Sequence, residues 1–291
     1  MVNSAVFFQG VTMDFRTVYA QSIFVQKQVV AMQKKWQEQN ICRCDLVGIC
    51  EGRTEYTPEE KTQYEQPAIF AVSLAKLYEV QQTFNPDLYI GHSFGEYAAI
   101  CAAGVVPEKL GYVIAQKRGE LAKGVNVESP GLMAAVSGKI NLDVIQQACL
   151  RYSIDIANIN SPEQVVISGE KRRVQEACAH LKKSGFAVTP LDTGCAFHSR
   201  ELAKIQNEFR QFLGTIPFQS PETPIIMNAT AQIETNPERI KDCLASQLTA
   251  PVDFPKIVTT MRENGVDTEK SYEVGLRNTL KGFAKKILKG P

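Results

Sequence analysis

Three features of the 291-residue chain predict an α/β protein. Apolar strand-like runs alternate with helical ones, one strand passes through G-x-S-x-G into a helix, and the middle of the chain reads β-α-β-β-α-β. The first two describe a large domain on a parallel sheet, of the α/β-hydrolase-like kind. The third describes a ferredoxin-like small lobe inserted into it. The expected division is a discontinuous large domain over 1–129 and 197–291, and a small lobe over 130–196.

The elements follow in order. AVFFQ (5–9) reads as a short buried strand, and residues 17–39, rich in Gln and Lys, as a polar helix. PAIFAVSLAKLYEVQQ (67–82) predicts a helix with Pro67 at its start, where the missing N–H costs nothing. DLYIG (87–91) is a strand, a helix begins near Glu96, and another runs from about Glu108 to Lys123. After Ser129-Pro130 the rhythm shortens. LMAAVSG (132–138), DIANIN (155–160), QVVISG (164–169) and FAVTPLD (186–192) read as strands, with helices at 142–152 and 171–183 between them. Beyond His198 helices return, with strands at PIIMN (224–228) and near SYEVG (271–275).

Hydrophobic residues at 44% and charged residues at 22% supply one sizeable core without staples. A net charge of +1 gives no global field to attract nucleic acid. No apolar run is long enough to span a bilayer, and MVNSAVFFQG lacks the basic and apolar regions of an export signal. A cytoplasmic protein is therefore expected; it is also expected to be a monomer. Eight cysteines are scattered through apolar or helical segments and read as reduced, mostly buried thiols. Cys42, Cys44 and Cys50 cluster, but C-x-C-x5-C fits no common zinc pattern and no histidine lies nearby, so no metal is expected.

Gly91-His92-Ser93-Phe94-Gly95 is the G-x-S-x-G string. Between a strand and a helix it forces a serine into a strained turn with its hydroxyl presented. The string alone could be an ordinary tight turn; the strand ending at Ile90 and the helix after it favour a nucleophile. A serine needs a base, and there are three histidines. His92 adjoins Ser93 and should point away from it, among the residues of the substrate cleft. His180 falls off the apolar face of its helix and reads as solvated. His198, in GCAFHS where the chain leaves the small lobe, is the candidate base. The Phe94 N–H at the start of a helix is one oxyanion donor, and the turn Gln9-Gly10-Val11-Thr12 is the candidate for a second.

These blocks resemble the malonyl-CoA:acyl carrier protein transacylases, including the free-standing acyltransferases that serve polyketide synthases in trans. The match runs from about Gln66 to Ile287 through Gln66-Pro67-Ala68, GHSFGEYAA (91–99), Arg118-Gly119, GLMAAV (131–136), NINSPEQVVISG (158–169), AFHS (196–199), SQLTAPVDF (246–254) and EVG (273–275). The resemblance implies Ser93 as nucleophile and His198 as base in a dyad, with the main chain at Gln247 orienting the ring. It implies Arg118 as the partner of the acyl carboxylate, and Asn158 and Asn160 as cleft residues. The string Ala196-Phe197-His198 is similar to the malonyl-selective form, in which the phenylalanine narrows the pocket. Two departures stand out: Thr12 occupies the place of the last glutamine in the family's FPGQGSQ-like loop, and Leu276 follows Gly275 where the family has proline.

Arginine is chemically suited to a malonyl carboxylate, which is costly to desolvate unpaired. Arg118 also follows Gln116 and Lys117, so a solvated charge is the competing reading. The expected activity is transfer of malonyl from coenzyme A, through an acyl-serine, to the phosphopantetheine thiol of an acyl carrier protein, with malonyl-CoA as substrate and no bound cofactor. The alternative is an acyl hydrolase of the same fold that clears carrier proteins. An acidic carrier would dock on a local basic patch. The candidates are Lys171, Arg172, Arg173, Lys182 and Lys183 on the small lobe, which is favoured, or Lys281, Lys285, Lys286 and Lys289 near the C-terminus.

Overall fold

The computed structural model describes residues 3–289; residues 1–2 and 290–291, the outer ends of the expected large domain, lie outside the described residues. The chain opens with β1 (Ala5–Phe8), α1 (Phe15–Gln21), α2 (Ile23–Glu38) and α3 (Leu46–Cys50). Ser22 splits the single helix expected over 17–39: it closes α1 in an extended conformation and caps α2, its hydroxyl accepting from Val25 N–H at 3.1 Å. Next comes α4 (Lys61–Val80), which corrects the expected start at Pro67. A 3-10 turn at Pro58–Glu60 launches it, with the Glu60 carboxylate accepting from Thr57 N–H at 3.1 Å. Pro67 lies inside the helix and is buried.

β2 (Leu88–Gly91), α5 (Gly95–Ala102) and α6 (Glu108–Glu128) follow. The middle of the chain is β3 (Gly131–Ser137), α7 (Leu142–Tyr152), β4 (Asp155–Ser161), β5 (Gln164–Glu170), α8 (Lys171–Lys183) and β6 (Ala187–Leu191), in the ferredoxin-like order. The chain ends with α9 (Ala203–Gly214), β7 (Ile225–Ile226), β8 (Ile233–Glu234), α10 (Pro237–Gln247), β9 (Val252–Asp253), α11 (Phe254–Glu263), β10 (Tyr272–Val274) and α12 (Thr279–Lys289).

Two five-stranded sheets result. The first has the order β10-β1-β2-β7-β8, parallel except for β8, which runs antiparallel to β7 at the edge. β1 and β2 are buried throughout, as a parallel sheet covered on both faces requires. The second has the order β6-β3-β5-β4-β9. Its four lobe strands are antiparallel, but β9, from well beyond the lobe, adds a parallel edge with Asn158 opposite Val252.

Alternation along the lobe strands sorts side chains between two faces. Ala134, Val136, Val165 and Ile167 join α7 and α8 in a small core of their own. Met133, Ala135, Val166, Asn158 and Asn160 point the other way and line a cavity of about 490 Å³ against the first sheet. The lobe's helices and the cavity thus lie on opposite faces of one sheet.

Candidate active site

The elbow between β2 and α5 is sterically demanded by its sequence. A Cβ on Gly91 would fall 2.2 Å from the Glu96 main chain, and one on Gly95 would fall 2.2 Å from the Phe8 carbonyl oxygen. Only glycine permits either approach. The turn holds Ser93 at φ +54°, in the left-handed region that a serine adopts only when its surroundings impose it.

Those surroundings are a buried polar cluster behind the elbow. Asn228, just past β7, accepts from Ser93 N–H at 2.7 Å and donates to the Gly91 carbonyl. Its own N–H and side-chain amide both donate to Glu96. Glu96 also accepts from Gln247 Nε2, which bonds the Ser93 carbonyl at 2.9 Å. Glu96 is fully buried, and burial raises its pKa to about 8 despite the Asn228 and Gln247 donors. Sequence reasoning missed this cluster. Glu96 stands within GHSFGEYAA, but nothing in the sequence brings Asn228 to it.

Ser93 Oγ lies 2.6 Å from His198 Nε2, and both residues are buried. His198 Nδ1 is 3.0 Å from the Ala250 carbonyl oxygen. A carbonyl can only accept, so Nδ1 carries the proton and the Nε2 lone pair faces the serine. The Gln247 main chain, expected beside the ring, does face it, but the principal partner is the main chain of Ala250, three residues further on. Ala250 is positioned where α10 runs into β9, and β9 is fastened to the lobe through β4. Burial, then the Arg118 charge, lowers the His198 pKa to about 3, so the ring is a neutral acceptor at ordinary pH.

His92 does point away from Ser93. Its Nε2 is 2.9 Å from Asn160 Oδ1 on the small lobe, and burial lowers its pKa to about 4. Asn160 in turn donates to Gln164 at 2.9 Å. Asn158 is buried and lines the cavity, its side-chain N–H donors unpartnered among the described residues. His180 is half-buried against the Tyr152 ring, with centroids 5.8 Å apart, rather than solvated.

The Gln9–Thr12 turn sits directly on the elbow: a Cβ on Gly10 would lie 3.5 Å from Phe94 N. Among the described residues, no hydrogen bond engages the main-chain N–H of Phe94 or of Thr12. Thr12 lines the cavity, as does Gln9, but the Gln9 side chain is committed to Glu273 at 2.5 Å and to the Arg277 carbonyl at 2.8 Å.

Arg118 is fully buried, which rules out the solvated reading. Its Nη1 donates to Gln66 Oε1 at 2.9 Å, while among the described residues no hydrogen bond engages Nε or Nη2. Its guanidinium carbon lies 4.3 Å from the Phe197 ring centroid and 5.3 Å from those of Phe94 and Tyr97. Phe197 lines the cavity and Arg118 does not, so the cation sits one layer beneath the wall, against the residues that follow Ser93 and precede His198. Burial lowers its pKa, yet a guanidinium remains charged. Among the described residues, no group of three or more His, Cys, Asp and Glu side chains could hold a metal ion. Nor is any helix long and apolar enough to cross a membrane.

The sheet order, the elbow and the serine–histidine pair define an α/β protein built around a strained serine turn. The chain belongs to the acyl transferase domain family, whose pattern matches residues 20–272. It is similar to the polyketide biosynthesis malonyl CoA-acyl carrier protein transacylase PksC of Bacillus subtilis (strain 168), at 37% identity over 80% of this chain and 81% of the relative. A malonyl CoA-acyl carrier protein transacylase of Staphylococcus aureus (strain MRSA252) is 34% identical over 80% of this chain and 78% of its own. Among solved structures, an acyl carrier protein S-malonyltransferase from Vibrio cholerae superposes with a TM-score of 0.80 at 30% identity, covering 99% of this chain and 94% of that one. The malonyl-transacylase of a type II polyketide synthase, solved in complex with its acyl carrier protein, superposes with a TM-score of 0.84 at 28% identity, covering 99% and 93%.

Proposed function

We propose that the chain is a malonyl-CoA:acyl carrier protein S-malonyltransferase of polyketide or fatty-acid biosynthesis, acting as a cytoplasmic monomer with no bound cofactor. Ser93 Oγ attacks the malonyl thioester as His198 Nε2 takes its proton; the same ring returns the proton to the departing coenzyme A thiolate. The N–H groups of Phe94 and Thr12 receive the oxyanion, so the threonine in place of the family's glutamine keeps the main-chain donor. In the second half-reaction the phosphopantetheine thiol of the carrier attacks the acyl-serine by the reverse route. Residues 130–196 act as one wall of the cleft and the rest of the chain as the other.

The observation that carries the substrate class is Arg118. A buried cation with two unanswered donors is a costly arrangement unless a ligand completes it. Relatives named as malonyl transacylases agree with a carboxylate as that ligand. To reach it, the malonyl carboxylate takes the place of the Phe197 ring that now stacks over the guanidinium. The test is loading of Arg118→Ala by malonyl-CoA and by acetyl-CoA. Loss of one charge-assisted hydrogen bond corresponds to at least ~10-fold slower malonyl loading, with acetyl loading affected less. Equal loss for both would make Arg118 structural.

A further inference from the structure

The cavity joins buried Ser93 to exposed Arg277, so it opens to solvent where the turn between β10 and α12 forms its rim. His92 being neutral, only two residues of its lining are charged among the described residues, Asp14 and Arg277. The Asp14 carboxylate is committed to the start of α1, accepting from Thr17 N–H at 3.1 Å. The Arg277 guanidinium has no hydrogen bond and no ion pair among the described residues.

Its main chain, by contrast, is fixed. The Arg277 carbonyl accepts from Gln9 Nε2 at 2.8 Å, and Gly275, at φ +156°, backs onto the same amide so closely that a Cβ would fall 2.6 Å from Nε2. Glu273 accepts from Gln9 on one side and from the N–H groups of Leu280 and Lys281 on the other. The turn is therefore clamped between the β1 loop and α12, and it presents the Arg277 guanidinium at the mouth.

We propose that Arg277 binds the phosphate of the phosphopantetheine arm, the group shared by coenzyme A and the loaded carrier protein. This rests on the functional reading above. An arm whose thioester lies at Ser93 reaches solvent past the exposed Leu276, Arg277 and Thr279, and its phosphate is the anion it carries there. Guanidinium matches a phosphate with two parallel donors. Leu276, exposed by 39%, and half-buried Phe283 supply apolar surface beside it for the aliphatic part of the arm.

The test measures acylation of the protein by malonyl-CoA, malonyl-phosphopantetheine and malonyl-pantetheine, the last lacking the phosphate, in wild type and in Arg277→Ala, Arg277→Glu and Arg277→Lys. In the Ala variant KM for the two phosphorylated donors should rise on the order of ten-fold, more in the Glu variant and less in the Lys variant. KM for malonyl-pantetheine should not move. An equal rise for malonyl-pantetheine would mean that Arg277 shapes the cavity. A rise confined to malonyl-CoA would mean a contact to the nucleotide, and no rise would mean a solvated charge. Each of these overturns the proposal. Failure of all three donors to acylate wild type would instead overturn the functional reading, which keeps the two failures distinguishable.

Discussion

Among the described residues, a main-chain carbonyl and no carboxylate stands behind His198. The Ala250 carbonyl fixes its tautomer, and burial beside Arg118 keeps it unprotonated down to about pH 3. Acylation should therefore change little between pH 7 and pH 5, where a histidine of ordinary pKa would lose about 25-fold. A decline of that size in pre-steady-state acylation would contradict the account. The same shifts are felt in stability. Unfolded histidines bind protons near pH 6.5, but the folded His198 and His92 do so only near 3 and 4. Unfolding then takes up protons, so their contribution is full above about pH 6.5 and is lost as pH falls toward 3. Glu96, raised to about 8, works the other way, its contribution being lost as pH climbs from about 4.5. That Ser93, His198, Arg118 and Phe197 gather in one place was legible because each sits in a short chemical string. Ala250, Asn228 and the Glu96 cluster were not, because they act through contacts made across the fold.

The elbow holds its shape through Asn228 rather than through the turn alone. Asn228→Ala would leave the Ser93 N–H buried and unpaired, which costs about 1–3 kcal/mol, with further loss at Glu96. The expected outcome is a lower melting temperature together with slower acylation; an unchanged value of either would contradict this role. Most elements were readable from hydrophobic period, and α8 falls on the expected 171–183. Two kinds were not. The two-residue strands β8 and β9 are too short to carry a period, and only pairing defines them. The start of α4 was misplaced because Pro67 reads as a first-turn residue, whereas the Thr57–Glu60 cap six residues before Gln66 sets the real beginning.

At the scale of the whole molecule, we propose that a carrier protein docks on α12 rather than on the small-lobe patch. The small-lobe patch was favoured because that lobe forms a wall of the cleft, and it does, but through the sheet face opposite α8. Arg172 and Arg173 on α8 also pair with Glu176 and Glu170. α12 instead contributes Thr279, Leu280 and Phe283 to the cavity itself and carries Lys285 and Lys286, paired at its exposed side with Glu269 and Glu163. Such exposed pairs are weak and can be exchanged for a partner's carboxylates. Charge reversal at Lys285 and Lys286 should raise the KM for the carrier and weaken its salt dependence, while reversal at Arg172 and Arg173 should not; the opposite pattern would return docking to the lobe. All of this depends on Ser93 carrying the acyl group between two partners. Intact mass after incubation with malonyl-CoA tests that step. Wild type should gain the mass of one malonyl group and lose it on addition of a holo acyl carrier protein, and Ser93→Ala should gain nothing. A malonyl adduct that persists in Ser93→Ala, or no adduct on wild type, would contradict the account.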